Sequence, residues 1–376
     1  MALTRAGYVS EYGLQGEVKL QQAYEFYTQA ALAGEPIAQN NLGLMFYRGT
    51  AVPKNYQRAL VLFSLSAKQG SADGLYHLGM MHENGLGIQA SQETANSYYL
   101  AAAERGSASA QLSLGLAYKY GRALEQNHES AAYWFSLAAK QNDVSAQFHL
   151  ADAYDRGLGV DVDLQQAAYW YSRSAENGDS RAQYALAWQY EFGRGVAQDF
   201  TKAQQLYRLA ALQHHMSAKY RLGLQLLRGQ GSDFEFEQAF EWIKQAAEEG
   251  HSDAQLQLGA FYFSGLSVPV NYRLALKWFN TAAAAGNDFA KYRAAQMYLA
   301  GIGVPVNEAK AFKLALSAAQ ADEMGGHYLV GRMYYKGWGT AIDNNKAIEH
   351  LSQAIALGYV NATGELNMLK SQRSDI

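Results

Sequence analysis

The sequence predicts an all-α solenoid of tandem helix-turn-helix repeats, and three regularities predict it. Steps of 36 residues from Leu150 land on Leu42, Leu78, Leu114, Leu186, Leu222 and Leu258, then on Ala294 and Val330, with Ala6 before the first. Seven residues past each of these ten anchors stands a glycine: Gly13, Gly49, Gly85, Gly121, Gly157, Gly193, Gly229, Gly265, Gly301 and Gly337. Seventeen past each stands an alanine, from Ala23 to Ala347 at the same interval. Two invariant columns without insertion or deletion mark ten units, 1–36, 37–72, 73–108, 109–144, 145–180, 181–216, 217–252, 253–288, 289–324 and 325–360, followed by a terminal segment, 361–376. A fixed period of this length marks a stacked array, in which each unit buries its apolar face on its neighbours. The 376 residues are therefore expected to form one solenoid domain rather than two or three globular ones.

Each stretch of a unit has a physical reading. In the fifth unit Ala146, Leu150 and Tyr154 recur every fourth residue and form the apolar stripe of a first helix, helix A. Gly157 ends it, because the residue past a helix C-terminus often takes a left-handed conformation that glycine adopts cheaply. A second glycine, Gly159, stands in six of the ten units and marks a sharp turn. Asp163 then N-caps a second helix, helix B, in a column shared with Asn55, Ser91, Asn127, Asp199, Asn271, Asn307 and Asp343. Lys19 and Glu235 depart from that column. Helix B carries Ala167, Trp170, Tyr171, Ser174 and Ala175 at three-four spacing. Its large members, Phe63, Tyr99, Trp134, Trp170, Trp242 and Trp278, are expected to fill the space between layers, and the alanines from Ala31 to Ala319 to let helices approach. Helix B stops at Gly70, Gly106, Gly178, Gly250, Gly286 and Gly358, or at the substitutes Asn142, His214 and Asp322. Past Gly358, a single amphipathic helix from about Asn361 to Lys370 is expected to cover the last apolar face, with the tail from Ser371 to Ile376 frayed.

Bulk properties exclude several classes. With 31 basic and 34 acidic residues the net charge is −3, so no strong polyelectrolyte term draws nucleic acid or anionic membrane. The chain has no cysteine, hence no disulfide and no thiolate metal site. No run of 18 apolar residues is present, so no membrane insertion is expected. The first residues already lie in register as helix A, which leaves no room for a signal peptide. An array that begins without a solubilising cap suggests a longer precursor trimmed to this point. The compartment then reads as cytoplasmic for the chain as written and periplasmic or secreted if a signal was removed.

The unit pattern, A-x-x-x-L-G-x-x-Y-x-x-G-x-G-V-x-x-D-x-x-x-A-x-x-W-Y-x-x-A-A-x-x-G, resembles the Sel-one-like repeat (SLR), a relative of the tetratricopeptide repeat with a longer turn. It is best matched by Ala146–Gly178, Ala182–Gly195 and Ala254–Gly286, and the likeness extends over essentially the whole chain. The resemblance implies an α/α right-handed superhelical solenoid whose A helices line a concave face. It also implies a scaffold or adaptor that holds proteins or peptides in bacterial envelope, signalling, secretion or host-interaction settings. Some relatives staple each helix pair with a disulfide, and this chain lacks the cysteines for it.

No catalytic constellation stands out. The six G-x-G loops each lie between two helices with no preceding strand, which argues against a phosphate cradle. Neither G-x-S-x-G nor H-E-x-x-H occurs among 376 residues, and His77 and His82 are five apart on one helix, so no catalytic residue, metal or cofactor is assigned. By analogy with tetratricopeptide repeats, positions two, five and six past each anchor form the concave wall. These include Met80, Glu83, Lys119, Tyr120, Asp152, Asp155, Arg156, Trp188, Glu191, Phe192 and Arg228, and His149 adjoins them. Exposed aromatics and arginines are the usual anchors of interfaces. Asp152 occupies a column that is Leu44, Met80, Leu116 or Leu224 elsewhere, and Trp188 departs from the same column. The expected function is a non-enzymatic, monomeric scaffold that binds a protein or peptide there. The alternative is a carbohydrate-binding module or enzyme that uses the same aromatic and acidic wall.

Overall fold

The computed structural model describes residues 1–14 and 16–374, with side chains as far as Ser371. All regular structure among the described residues is helical. The chain divides into two compact units, Met1–Gln198 and Asp199–Ile376. The first contains α1 (Ala2–Tyr12), α2 (Leu20–Leu32), α3 (Pro36–Arg48), α4 (Tyr56–Lys68), α5 (Ala72–Asn84), α6 (Gln92–Glu104), α7 (Ala108–Tyr120), α8 (His128–Lys140), α9 (Val144–Arg156), α10 (Leu164–Glu176) and α11 (Ser180–Phe192). The second contains α12 (Phe200–Leu212), α13 (Met216–Arg228), α14 (Phe236–Glu248), α15 (Ser252–Ser264), α16 (Tyr272–Ala284), α17 (Asp288–Ala300), α18 (Glu308–Ala319), α19 (Met324–Lys336), α20 (Asn344–Ala356) and α21 (Thr363–Ser374). Within each unit every helix packs on the one before and the one after it.

The punctuation of the repeat is as expected. The ten glycines that end the A helices all take the left-handed conformation, with φ between 62° and 78°. The substitutes that end B helices, Asn142, His214 and Asp322, do so as well, at φ 64°, 63° and 57°. The carboxylate of Asp163 accepts the N–H of Gln166, and the other seven N-cap side chains each accept the corresponding N–H three residues on. Lys19 and Glu235 make no such bond, a loss of about 1 kcal/mol at each helix start. The C-terminal segment differs in detail. A 3₁₀ turn, Val360–Ala362, precedes α21, which runs on to Ser374 and buries Ala362, Leu366 and Leu369 against Leu351 and Ala354. The helix is continuous through Ser374; Asp375 and Ile376 lie outside the described residues.

The residue of helix B that fills the core is the one after the tryptophan. Tyr27, Phe63, Tyr99, Phe135, Tyr171, Tyr207, Ile243 and Phe279 are buried, whereas Trp134, Trp170, Trp242 and Trp278 are only half-buried. The reason lies on helix A, where the residue after the anchor is glycine or alanine. A Cβ at Gly43 would fall 2.7 Å from the Phe63 ring, and one at Gly115 2.6 Å from Phe135. The missing side chain is the hole into which the ring inserts. A buried glutamine holds the next interface. Gln39, Gln111, Gln147, Gln183 and Gln255 donate from Nε2 to the carbonyls of Ala31, Ala103, Ala139, Ala175 and Ala247, in the last turn of the preceding B helix. These are carbonyls that a helix end otherwise leaves unpaired.

Where the core ring is tyrosine, its hydroxyl needs an acceptor. Tyr27 donates to Glu11 at 2.8 Å and Tyr99 to Glu83 at 2.7 Å. The pairing is written into the repeat: Tyr27, Tyr99, Tyr171 and Tyr207 accompany Glu11, Glu83, Asp155 and Glu191 five past the anchor, and the other six repeats have neither the tyrosine nor the acid. Glu83→Leu is expected to cost about 1–2 kcal/mol by stranding the Tyr99 hydroxyl, and Tyr99→Phe in the same chain to recover most of it. Urea unfolding of the two single variants and the double variant checks the coupling; additive losses would deny it.

Candidate partner-binding surface

The sixth position past each anchor is the outermost on the A helices. Arg48, Asn84, Tyr120, Arg156 and Phe192 in the first unit are exposed, as are Arg228, Ser264, Ala300 and Lys336 in the second. The second and fifth positions are half-buried or fully buried, apart from Tyr8, which is exposed. Met80 is half-buried against the core of the first repeats, and Glu83 is tied to Tyr99. Glu191 is buried, and His149 lies beneath the surface, stacked on Phe135 at 5.1 Å. Asp152 is only 7% exposed. The expected wall is therefore narrower than the sequence spacing suggests.

What the first unit does assemble is two clusters, one over α7 and α9 and one over α9, α11 and the loop after α11. Lys119 Nζ lies 2.8 Å from one carboxylate oxygen of Asp152 and Arg156 Nε 2.7 Å from the other. Asp155 pairs with Arg194 at 3.5 Å, and the Arg194 guanidinium lies 4.8 Å over the Trp188 ring. Trp188 in turn contacts Phe192 at 5.0 Å. Tyr120 receives Lys119 on one side at 5.8 Å and Arg122 at 5.2 Å. Seven of the expected residues thus take part, Lys119, Tyr120, Asp152 and Arg156 in the first cluster and Asp155, Trp188 and Phe192 in the second. Arg228 is a separate exposed cation of the second unit.

Two residues of these clusters, Arg122 and Arg194, are not among the expected ones. Both stand eight past an anchor, in a column that is Leu14, Leu86, Leu158, Leu266 or Ile302 in half of the repeats and Thr50, Gln230 or Trp338 in three others. A change from leucine to arginine at a repeating position was the available signal.

The buried polar groups act as supports. Burial above all, then the positive charges of Lys119 and Arg181, pulls the pKa of His149 down to about 4, so the ring is neutral. Burial, reinforced by Asp152 and Asp155, raises the Tyr171 hydroxyl well above the usual phenol range. The cavity bordered by Lys119, His128, His149 and Asp152 measures about 10 Å³, room for one water and not for a substrate. Among the described residues no three His, Cys, Asp or Glu side chains are placed to hold a metal ion. Among the described residues no helix is long and apolar enough to cross a membrane. Chemically, the surface can offer aromatic faces and guanidinium groups to a ligand; its carboxylates are engaged by its own cations.

Tandem helical hairpins with glycine-closed turns and an aromatic, arginine-rich outer face define a repeat protein of the helical-solenoid class. The model of the Sel1 repeat matches ten consecutive segments, at 1–35, 36–71, 72–107, 108–143, 144–179, 180–215, 217–251, 252–287, 288–323 and 326–359. The chain belongs to the Sel1 repeat family. It is similar to the crystal structure of a protective antigen present in uropathogenic Escherichia coli strains, described as displaying an SLR fold, with 29% identity and a TM-score of 0.73 over 99% of this chain and 87% of that one. A Sel1 repeat protein from Oxalobacter formigenes is similar over 82% of this chain and 90% of its own, at 29% identity and a TM-score of 0.63. Comparison with curated proteins finds no match.

Proposed function

We propose that the protein is a non-enzymatic scaffold that binds a protein or peptide partner along the outer face of its A helices, acting as a monomer. The observation that carries the reading is the cluster of Trp188, Phe192 and Arg194 on α11 and the loop after it, with a second exposed ring, Tyr120, on α7. Phe192 and Tyr120 are 48% and 55% exposed, an uneconomical placement for large apolar rings unless a partner covers them. Aromatic and arginine side chains are the groups that most often carry binding energy. The ion pair with Asp155 holds Arg194 over the Trp188 ring, which lowers the ordering cost of binding. A bacterial setting is in keeping with both structural relatives.

The test is affinity capture from native lysate with wild type and a Trp188→Ala/Phe192→Ala variant of equal helicity and melting temperature. The variant is expected to lose proteins that wild type retains; identical partner lists would sink the assignment. Asp152 is left intact, since removing it would strip Lys119 of its partner and confuse folding with binding.

A further inference from the structure

We propose a second docking surface, on the loop before α14, that takes a cationic segment of a partner protein with apolar side chains between its arginines or lysines. Phe234 and Phe236 are 63% and 40% exposed, and their rings stack at 5.7 Å. With Glu235, Glu237, Leu266 and Ser267 they line an open groove of about 440 Å³. It shares no residue with the surface of the first unit.

Its sequence sets this loop apart from most of its counterparts. Phenylalanine flanks the cap position on both sides here and in no other repeat, where the preceding residue is Val18, Lys54, Ala90, Gln126, Val162, Gln198, Val270, Val306 or Ile342. The cap position itself is Glu235, which gives up the hydrogen bond that Asn or Asp makes in most of the other repeats. A local rule broken without structural gain is a mark of function. The loop keeps the Glu235 N–H to Leu226 carbonyl bond common to the repeats, at 3.2 Å, and Gln204 Nε2 donates to Ser232 Oγ at 2.9 Å and Thr201 Oγ1 to the Gly231 carbonyl at 3.4 Å. The two rings stand out from a fixed loop, not from a frayed one.

Charge selects the occupant. Glu235 and Glu237 line the groove with the rings, Asp233 precedes Phe234 in the chain, and among the described residues none of the three has an ion-pair partner. Three uncompensated carboxylates around an apolar pair repel an acidic segment and attract a basic one, while the rings and Leu266 take up apolar side chains.

The probe is a fluorescein-labelled octapeptide of alternating arginine and leucine, titrated with the full chain and followed by anisotropy at low and high salt. Wild type is expected to bind, more weakly as salt screens the carboxylates. Phe234→Ser/Phe236→Ser and Glu235→Gln/Glu237→Gln are each expected to weaken binding roughly tenfold or more with unchanged circular dichroism, whereas Trp188→Ala/Phe192→Ala leaves it unchanged. Loss of binding in the Trp188/Phe192 variant alone would place the peptide on the first surface and overturn the proposal. Equal binding of a glutamate-leucine octapeptide would overturn the charge argument. Sedimentation showing a dimer that Phe234→Ser/Phe236→Ser dissolves would replace the cationic partner with a second copy of the chain.

Discussion

Gly159→Ala is expected to lower stability by about 3 kcal/mol, read as a reduced urea midpoint at unchanged slope. Two costs add. The residue sits at φ 75°, where a Cβ costs about 1–2 kcal/mol. That Cβ would also lie 2.1 Å from the His128 carbonyl oxygen and 2.4 Å from the Glu129 nitrogen, so the loop of one repeat must move off the first turn of α8, at about 1–2 kcal/mol more. Both obstacles are backbone, and neither can rotate away. Gly193→Val serves as the contrast. Its φ is 65°, but the nearest atom to an added Cβ is Gln198 Cβ at 3.4 Å, leaving mainly the conformational cost of about 1–2 kcal/mol. Ala51, Ala123 and Ser267 hold the column of Gly159 at φ 64°, 50° and 61°, so a Cβ can be housed where the neighbouring backbone is built for it. A loss at Gly193 as large as that at Gly159 would show that repeat-to-repeat contact is not the controlling term.

Acidification from pH 7 to 4 is expected to cost about 3 kcal/mol for each of His77 and His149. Burial holds both at about 4 in the folded chain, against 6.5 for an ordinary histidine. Asp73 opposes the shift at His77, while Lys119 and Arg181 add to it at His149. The sign follows from the order of protonation. Between pH 6.5 and 4 the unfolded chain has taken up the proton and the folded one has not, so stability is full above that window and drains as pH falls through it. The packing explains why neither ring accepts the proton readily. His77 stacks on Phe63 at 4.8 Å with Nδ1 2.8 Å from Asn40 Oδ1, and His149 stacks on Phe135 with no partner for its buried Nδ1. Urea midpoints across this range, for wild type and His149→Phe, measure the effect. The variant should lose about one proton's worth of slope; an unchanged slope would mean His149 is protonated in the folded chain.

The candidate surface was only partly legible in the sequence. Trp188 and Phe192 could be singled out because they break or decorate a column, and Arg122 and Arg194 were detectable in the same way, as arginines in a column that is most often leucine. Asp152, Glu83 and His149 looked like free wall residues for the opposite reason: position in a helix predicts a direction, not what stands in front of it. Asp152 turns inward because Lys119, 33 residues earlier, reaches it across the helix interface. Glu83 is recruited by a hydroxyl 16 residues later.

Repeat length, both helices, the glycine turns and the N-caps were determined by the sequence alone, because each rests on groups within a few residues of one another and recurs along the chain. The tertiary structure decided which helix-B ring enters the core, which carboxylates are spent on internal partners, and which side chains remain for a ligand. Those outcomes depend on the shape and charge of the neighbouring repeat. Glycine beside the anchor admits Phe135 and leaves Trp134 at the rim, and Asp155 binds Arg194 from the following loop. One-dimensional periodicity encodes the fold, and contact between successive repeats selects the surface.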